Sequence, residues 1–145
     1  MMVEKDTVKL LKECDAGVKM GIASIEEVLS YVKSDELEGY LTESKRAHEK
    51  LEDEIEGQLA RLGDAGKEPS MVAKGMSHMK SGMKLMVNAS DRTVADLMTD
   101  GCNMGVKSLS RYLNEYKAAD ESSKDITKRL IALEEQLAGE IRCFL

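Results

Sequence analysis

The sequence predicts an all-α protein, an antiparallel four-helix bundle of two hairpins joined by a helical crossover. Three observations predict it: a composition poor in strand formers, apolar residues recurring in steps of three and four, and an internal repeat. Among 145 residues there are one proline, one phenylalanine and no tryptophan against ten methionines, and 33% of the residues are charged. Sheets favour aromatic and β-branched side chains, so this balance suits helices. The length is that of one domain and is enough to bury about two-thirds of the surface an unfolded chain exposes, so residues 1–145 are read as a single domain.

Turn chemistry divides the chain into five helical segments, over 6–32, 35–62, 70–88, 91–117 and 120–144. Asp6 is placed to cap the first, and Ser34-Asp35 to end one helix and start the next with almost no loop. Gly63 is a left-handed terminator for the second, followed by a turn through Gly66 and Pro69. Ser70, Ser90 or Asp91, and Asp120 are the caps expected for the remaining three. The segment 70–88 is the crossover; about 19 residues of helix span roughly 28 Å, a large part of the length of the main helices.

The first helix carries a seam of Val8, Leu11, Asp15, Val18, Ile22, Ile25, Leu29 and Val32, polar only at Asp15. Beside it runs a stripe with small members, Cys14, Gly17, Gly21 and Ser24. The same arrangement returns 84 residues later, where Gly101, Met104, Gly105, Ser108 and Leu113 match Gly17, Met20, Gly21, Ser24 and Leu29. Two related hairpins follow from this repeat. Glycine inside a helix costs about 0.8–1 kcal/mol relative to alanine, so Gly17, Gly21, Gly101 and Gly105 are expected where helices approach closely, within the bundle or across a homodimer.

Two hairpins, a long crossover and an internal repeat resemble the ferritin-like fold over nearly the whole chain. The stretch from Met71 through Gly105, with closely spaced methionines and an MG-containing fourth helix, is also similar to uncharacterised bacterial ferritin-like proteins related to a family of unknown function. The resemblance implies a fold and no activity. Active di-iron members of this fold take a Glu from each of two helices and a Glu-x-x-His pair from each of the others. Here only two histidines exist, and the residues three before them are Lys45 (for His48) and Gly75 (for His78). The fifth helix offers Glu134 and Glu135 but no histidine. The expectation is that the di-iron site is absent, with no catalytic residue and no cofactor.

What remains is a polar island. The second helix reads Leu37, Leu41, Ser44, His48, Leu51, Ile55 at seam spacing, and Asp15 lies on the facing helix. With the turn centred near Lys33 and Ser34, His48 and Asp15 are offset by about four residues, or roughly 6 Å. Direct or water-mediated contact between His48 and Asp15 is therefore expected, fixing register as buried polar groups do when hydrogen-bonded. The rival reading makes His48 and Asp15 metal ligands.

The methionines Met76, Met79, Met83 and Met86 form a stripe on the crossover, read as core packing, with an adaptable partner-binding face and thioether ligation of Cu(I) as the alternatives. Lys74, Lys80 and Lys84 stand there without nearby acids, whereas residues 35–62 carry nine acids against four bases, which accounts for the basic face by charge complementarity. The net charge of -6 repels phosphate and anionic lipid, which argues against nucleic acid and membrane partners. Cys14, Cys102 and Cys143 form no CxxC pair, and no leader of signal-peptide type precedes them, so free thiols and a cytoplasmic location are expected, with Cys143 the reactive one. The function expected is non-enzymatic association with another protein or a second copy. The alternatives are a divergent metal-binding protein and a small-molecule carrier with a pocket between hairpin and crossover.

Overall fold

Residues 2–64 and 90–145 are described by a computed structural model. Among them run four helices: α1 (Met2–Leu29), α2 (Asp35–Arg61), α3 (Asp91–Glu115) and α4 (Glu121–Ile141), closed by a short 3-10 turn over Arg142–Phe144. The expected crossover helix 70–88, with Met76, Met79, Met83 and Met86, lies outside the described residues. Within each hairpin the helices pack along their length, α1 on α2 and α3 on α4; α2 also packs on α4, and α1 touches both α3 and α4.

The helix starts are set by local chemistry. Ser34 Oγ accepts the Leu37 amide at 3.3 Å, Ser90 Oγ accepts Thr93 N at 3.2 Å, and Asp120 Oδ1 accepts Ser123 N at 2.8 Å. Each cap satisfies an amide that the helix itself cannot, worth about 1 kcal/mol. Gly63, at φ 72°, ends the α2 region, and the Asp64 amide returns to the Leu59 carbonyl at 2.9 Å. Asp6 is not a cap: α1 is already helical from Met2, and the Asp6 carboxylate accepts the Ala118 amide in the α3–α4 turn instead. The helix ends also fall short of expectation, at Leu29, Glu115 and Ile141, since the residues that follow turn into the connections of the two hairpins or, after Ile141, tighten into the 3-10 turn.

The connections are tied down across the bundle by a matched pair of contacts. Asp91, at the start of α3, accepts the Lys33 and Ser34 amides of the α1–α2 turn at 2.8 and 3.1 Å. Thr7, near the start of α1, accepts the Asp120 amide of the α3–α4 turn at 2.8 Å. Thr7 and Asp91 are 84 residues apart, like Gly21 and Gly105, and Ser34 and Asp120 are both N-caps, of α2 and α4. Each hairpin thus clasps the turn of the other through equivalent positions, as an approximate twofold relation requires.

The apolar interior falls into two clusters. One gathers Ile25, Leu41, Val94, Met98, Cys102, Leu137 and Ile141; the other Leu11, Cys14, Val18, Leu51, Ile55, Leu109 and Leu130. Equivalent residues of the two hairpins sit in opposite clusters: Ile25 against Leu109, Leu137 against Leu51, Ile141 against Ile55. Between the clusters lies a polar layer.

Candidate functional site

His48 reaches this layer because α2 buries Leu37, Leu41, Ser44, His48, Leu51 and Ile55, a single face at steps of three and four. Glu134 reaches it from α4, whose inward face is Ile126, Leu130, Glu134, Leu137 and Ile141. His48 is 1% exposed and Glu134 9%. His48 Nε2 lies 2.7 Å from Glu134 Oε1, and Nδ1 lies 2.7 Å from the Ser44 carbonyl oxygen. A carbonyl can only accept, so Nδ1 carries a proton and donates to Ser44. The short Nε2–Oε1 contact then holds one further proton, which assigns the pair as imidazolium and carboxylate or as their neutral forms. Burial pushes the His48 pKa down, but the hydrogen bond and the charge of Glu134, with the Ser44 bond, outweigh it and leave the pKa above its ordinary 6.5. The charged pair is the state that this shift favours.

Two glycines make the space. A Cβ on Gly21 of α1 would stand 3.0 Å from His48 Cδ2 and 3.1 Å from Nε2, and one on Gly105 of α3 would stand 3.2 Å from Glu134 Oε2. Their helix cost is therefore offset by the side chains they admit. The other two glycines behave differently: a Cβ on Gly17 would meet Leu130 and Leu109 at ordinary contact distance, and one on Gly101 would meet nothing within 4 Å among the described residues. The close approach expected at Gly101 is not supplied by these helices, because that residue sits on the exposed side of α3.

The contact expected between His48 and Asp15 is replaced by the one to Glu134. Both ring nitrogens of His48 are committed, and Asp15 lies further along the bundle, level with Glu52 and Glu56. Asp15 is fully buried, and Lys19, one turn on, reaches Asp15 Oδ2 at 2.7 Å and Glu56 Oε1 at 3.1 Å. Burial, then the Glu56 charge, raises the Glu52 pKa, with Lys19 opposing. Asp15, Glu52 and Glu56 bring carboxylate oxygens close together, with the Lys19 ammonium already among them.

The side chains of this layer depart from the ferritin-like pattern. Level with the buried pair, α1 and α3 present Gly21 and Gly105 where that pattern has carboxylates. The residue three before His48, Lys45, turns toward Glu26 at 3.8 Å, and the residue three before Glu134 is Ile131, packed on the core. One imidazole and one carboxylate, already bonded to each other, do not fit a dinuclear metal centre.

Cysteine chemistry is suppressed in the interior. Burial pushes the Cys14 thiol up to about 12, and its Sγ lies 3.1 Å from Thr127 Oγ1. Cys102 lies beside Glu134, and burial followed by that carboxylate's charge also raises its pKa. Cys143 is exposed and, like the other two, unbridged. A shallow groove between α2 and α4, with Arg46 and Lys50 on one wall and Gln136 and Glu140 on the other, runs past Ser44. The pocket expected between hairpin and crossover falls outside the described residues.

The repeat on α1 and α3 alone does not reveal Glu134 as the partner of His48. The signal was present: α2 and α4 begin at Asp35 and Glu121, and His48 and Glu134 share that separation of 86 residues. They are equivalent positions, meeting at the twofold relation itself.

No family model matches the chain, and no curated protein matches it. Among solved structures it is similar to the crystal structure of Dps92 from Deinococcus radiodurans, at 12% identity and a TM-score of 0.73, covering 100% of this chain and 88% of that one. The chain has the ferritin-like, all-α four-helix fold. None of the described helices is long and apolar enough to cross a membrane.

Proposed function

We propose that this chain is a ferritin-like association module, a single domain whose interior layer is closed by an ion pair and which acts through its surface by assembling with copies of itself. The observation that carries the closed interior is the 2.7 Å contact of His48 with Glu134, seated against Gly21 and Gly105, and assembly is supported by the exposed mid-helix Met104. A layer closed in this way stabilises the bundle and presents no open coordination position. The compartment proposed is the cytoplasm, supported by three unbridged cysteines, two of them buried. Metal analysis of protein purified without chelator and then dialysed tests the interior, and sedimentation tests assembly. Substoichiometric metal in an oligomeric protein is the expected result. Stoichiometric iron, manganese or copper would overturn the first half, and a monomer at millimolar concentration the second.

One observation favours a second reading, a mononuclear metal site on His48 and Glu134. An imidazole that donates Nδ1–H to a backbone carbonyl and turns Nε2 inward has the orientation of a metal-ligating histidine. Cys102 would then be the nearest thiol. Cobalt(II) separates the readings: a thiolate charge-transfer band lost in Cys102→Ser would favour this one.

A further inference from the structure

The large apolar side chains exposed among the described residues are Val3, Met104 and Leu145. Val3 lies in the first turns of α1 and Leu145 beyond the final 3-10 turn, but Met104 is mid-helix in α3 and 70% exposed. Around it α3 sets like charges side by side, and the opposite charges on the same helix, Arg92 and Glu115, stand beside Asp96 and Arg111 but not beside Asp100 or Lys107. Asp96 and Asp100 are four residues apart, as are Lys107 and Arg111, and like charges at that spacing face each other on one helix surface. The acidic and basic couples are separated by two turns, too far to neutralise one another along the helix. The helix dipole does not account for Asp100 and Lys107 either, since its influence fades beyond the first and last turns and both residues lie inside them. Asp100, Lys107 and Arg111 are exposed and form no ion pair among the described residues, unlike Arg129, whose guanidinium pairs with Glu54 and Asp125 on the neighbouring surface.

We infer that the exposed face of α3 is the interface for a second copy of this chain, two α3 helices meeting antiparallel about a twofold axis between Asn103 and Met104. The inference rests on the self-association proposed above and names the surface. Asp100 and Lys107 stand equally far from that axis, about 5 Å along the helix in opposite directions, so an antiparallel copy sets each Asp100 against the partner's Lys107. A parallel pairing would set Asp100 against Asp100, so the charge pattern selects the antiparallel one. Met104 lies beside the axis, where the apolar centre of an isologous interface belongs, ringed by its charges.

The test is a charge exchange read by sedimentation of the full chain, with circular dichroism confirming that each variant remains helical. Asp100→Lys alone sets lysine against lysine twice in a dimer, and Lys107→Asp alone sets aspartate against aspartate twice. Each is expected to sediment as a monomer at a concentration where the wild type is a dimer. An equimolar mixture of the two is expected to return to dimer, because each variant then supplies the sign that the other lacks. Dimer loss in the single variants with recovery in the mixture supports the interface. A wild-type dimer indifferent to both substitutions, or variants that fail to recover on mixing, overturns it while leaving self-association by another face standing. A wild type monomeric at millimolar concentration overturns both.

Discussion

The two hairpins use one backbone plan with different side chains, and one of those differences lies where the hairpins meet. Away from the meeting point some equivalent positions are alike, Leu51 and Leu137, Ile55 and Ile141, Ile25 and Leu109, and others differ without conflict, as Leu41 and Thr127 or Leu37 and Ser123 do. At the meeting point they differ, His48 against Glu134. A residue at a twofold relation faces its own equivalent, so two identical ionisable residues would bury like charges side by side. Two glutamates or two histidines there would shift each other's pKa or force the layer open. Opposite charges turn the same juxtaposition into a hydrogen-bonded pair. Gly21 and Gly105 stay alike because both must clear room for that pair.

The comparison is broken most severely by emptying one side of it. His48→Ala or Glu134→Ala is expected to cost about 3–5 kcal/mol, since each leaves a buried charge without its partner. The exchange His48→Glu with Glu134→His is expected to recover most of that loss, because the two positions are equivalent. Chemical denaturation of the singles and the double checks this, and an exchange variant no more stable than the singles would show that the surroundings of the two positions are not interchangeable.

The pair also gives stability a pH dependence. The folded His48 pKa is raised, so its contribution is fully present below 6.5, the ordinary value, and is lost as pH rises through the folded value. Unfolding free energy is expected to fall across that window in the wild type. In His48→Gln the same window should be flat.

Among the glycines the sign of an alanine substitution should follow the space available. Gly21→Ala is expected to destabilise by about 1–3 kcal/mol, because the His48 ring it meets is fixed at both nitrogens. Gly105→Ala should cost less, as its nearest contact is Glu134 Oε2, the oxygen not bonded to His48. The two turn clasps come next. Asp91→Ala removes the acceptor of two amides and Thr7→Val the acceptor of one, so about 1–2 and about 1 kcal/mol are expected. Smallest, and opposite in sign, is Gly101→Ala, which fills open space on a helix and should stabilise by about 0.5–1 kcal/mol. Thermal unfolding of this series against the wild type would check the order, and a destabilised Gly101→Ala would mark a close neighbour beyond the described helices.

Features that depend on neighbours along the chain are legible without the fold. Ser34, Ser90 and Asp120 cap helices because a side-chain oxygen three residues upstream satisfies an amide locally, and Gly63 adopts a positive φ that other residues resist. The inward position of His48 was legible for the same reason, since helical period alone fixes which face it shares with Leu41 and Leu51. Tertiary structure decided the partners. Asp6 had the chemistry of a cap but was drawn to the Ala118 amide 112 residues away, and His48 met Glu134 in place of Asp15. Which helix faces which, and at what level, is set by the packing of whole apolar faces, and a displacement of one helical turn, about 5 Å, is enough to exchange one buried carboxylate for another.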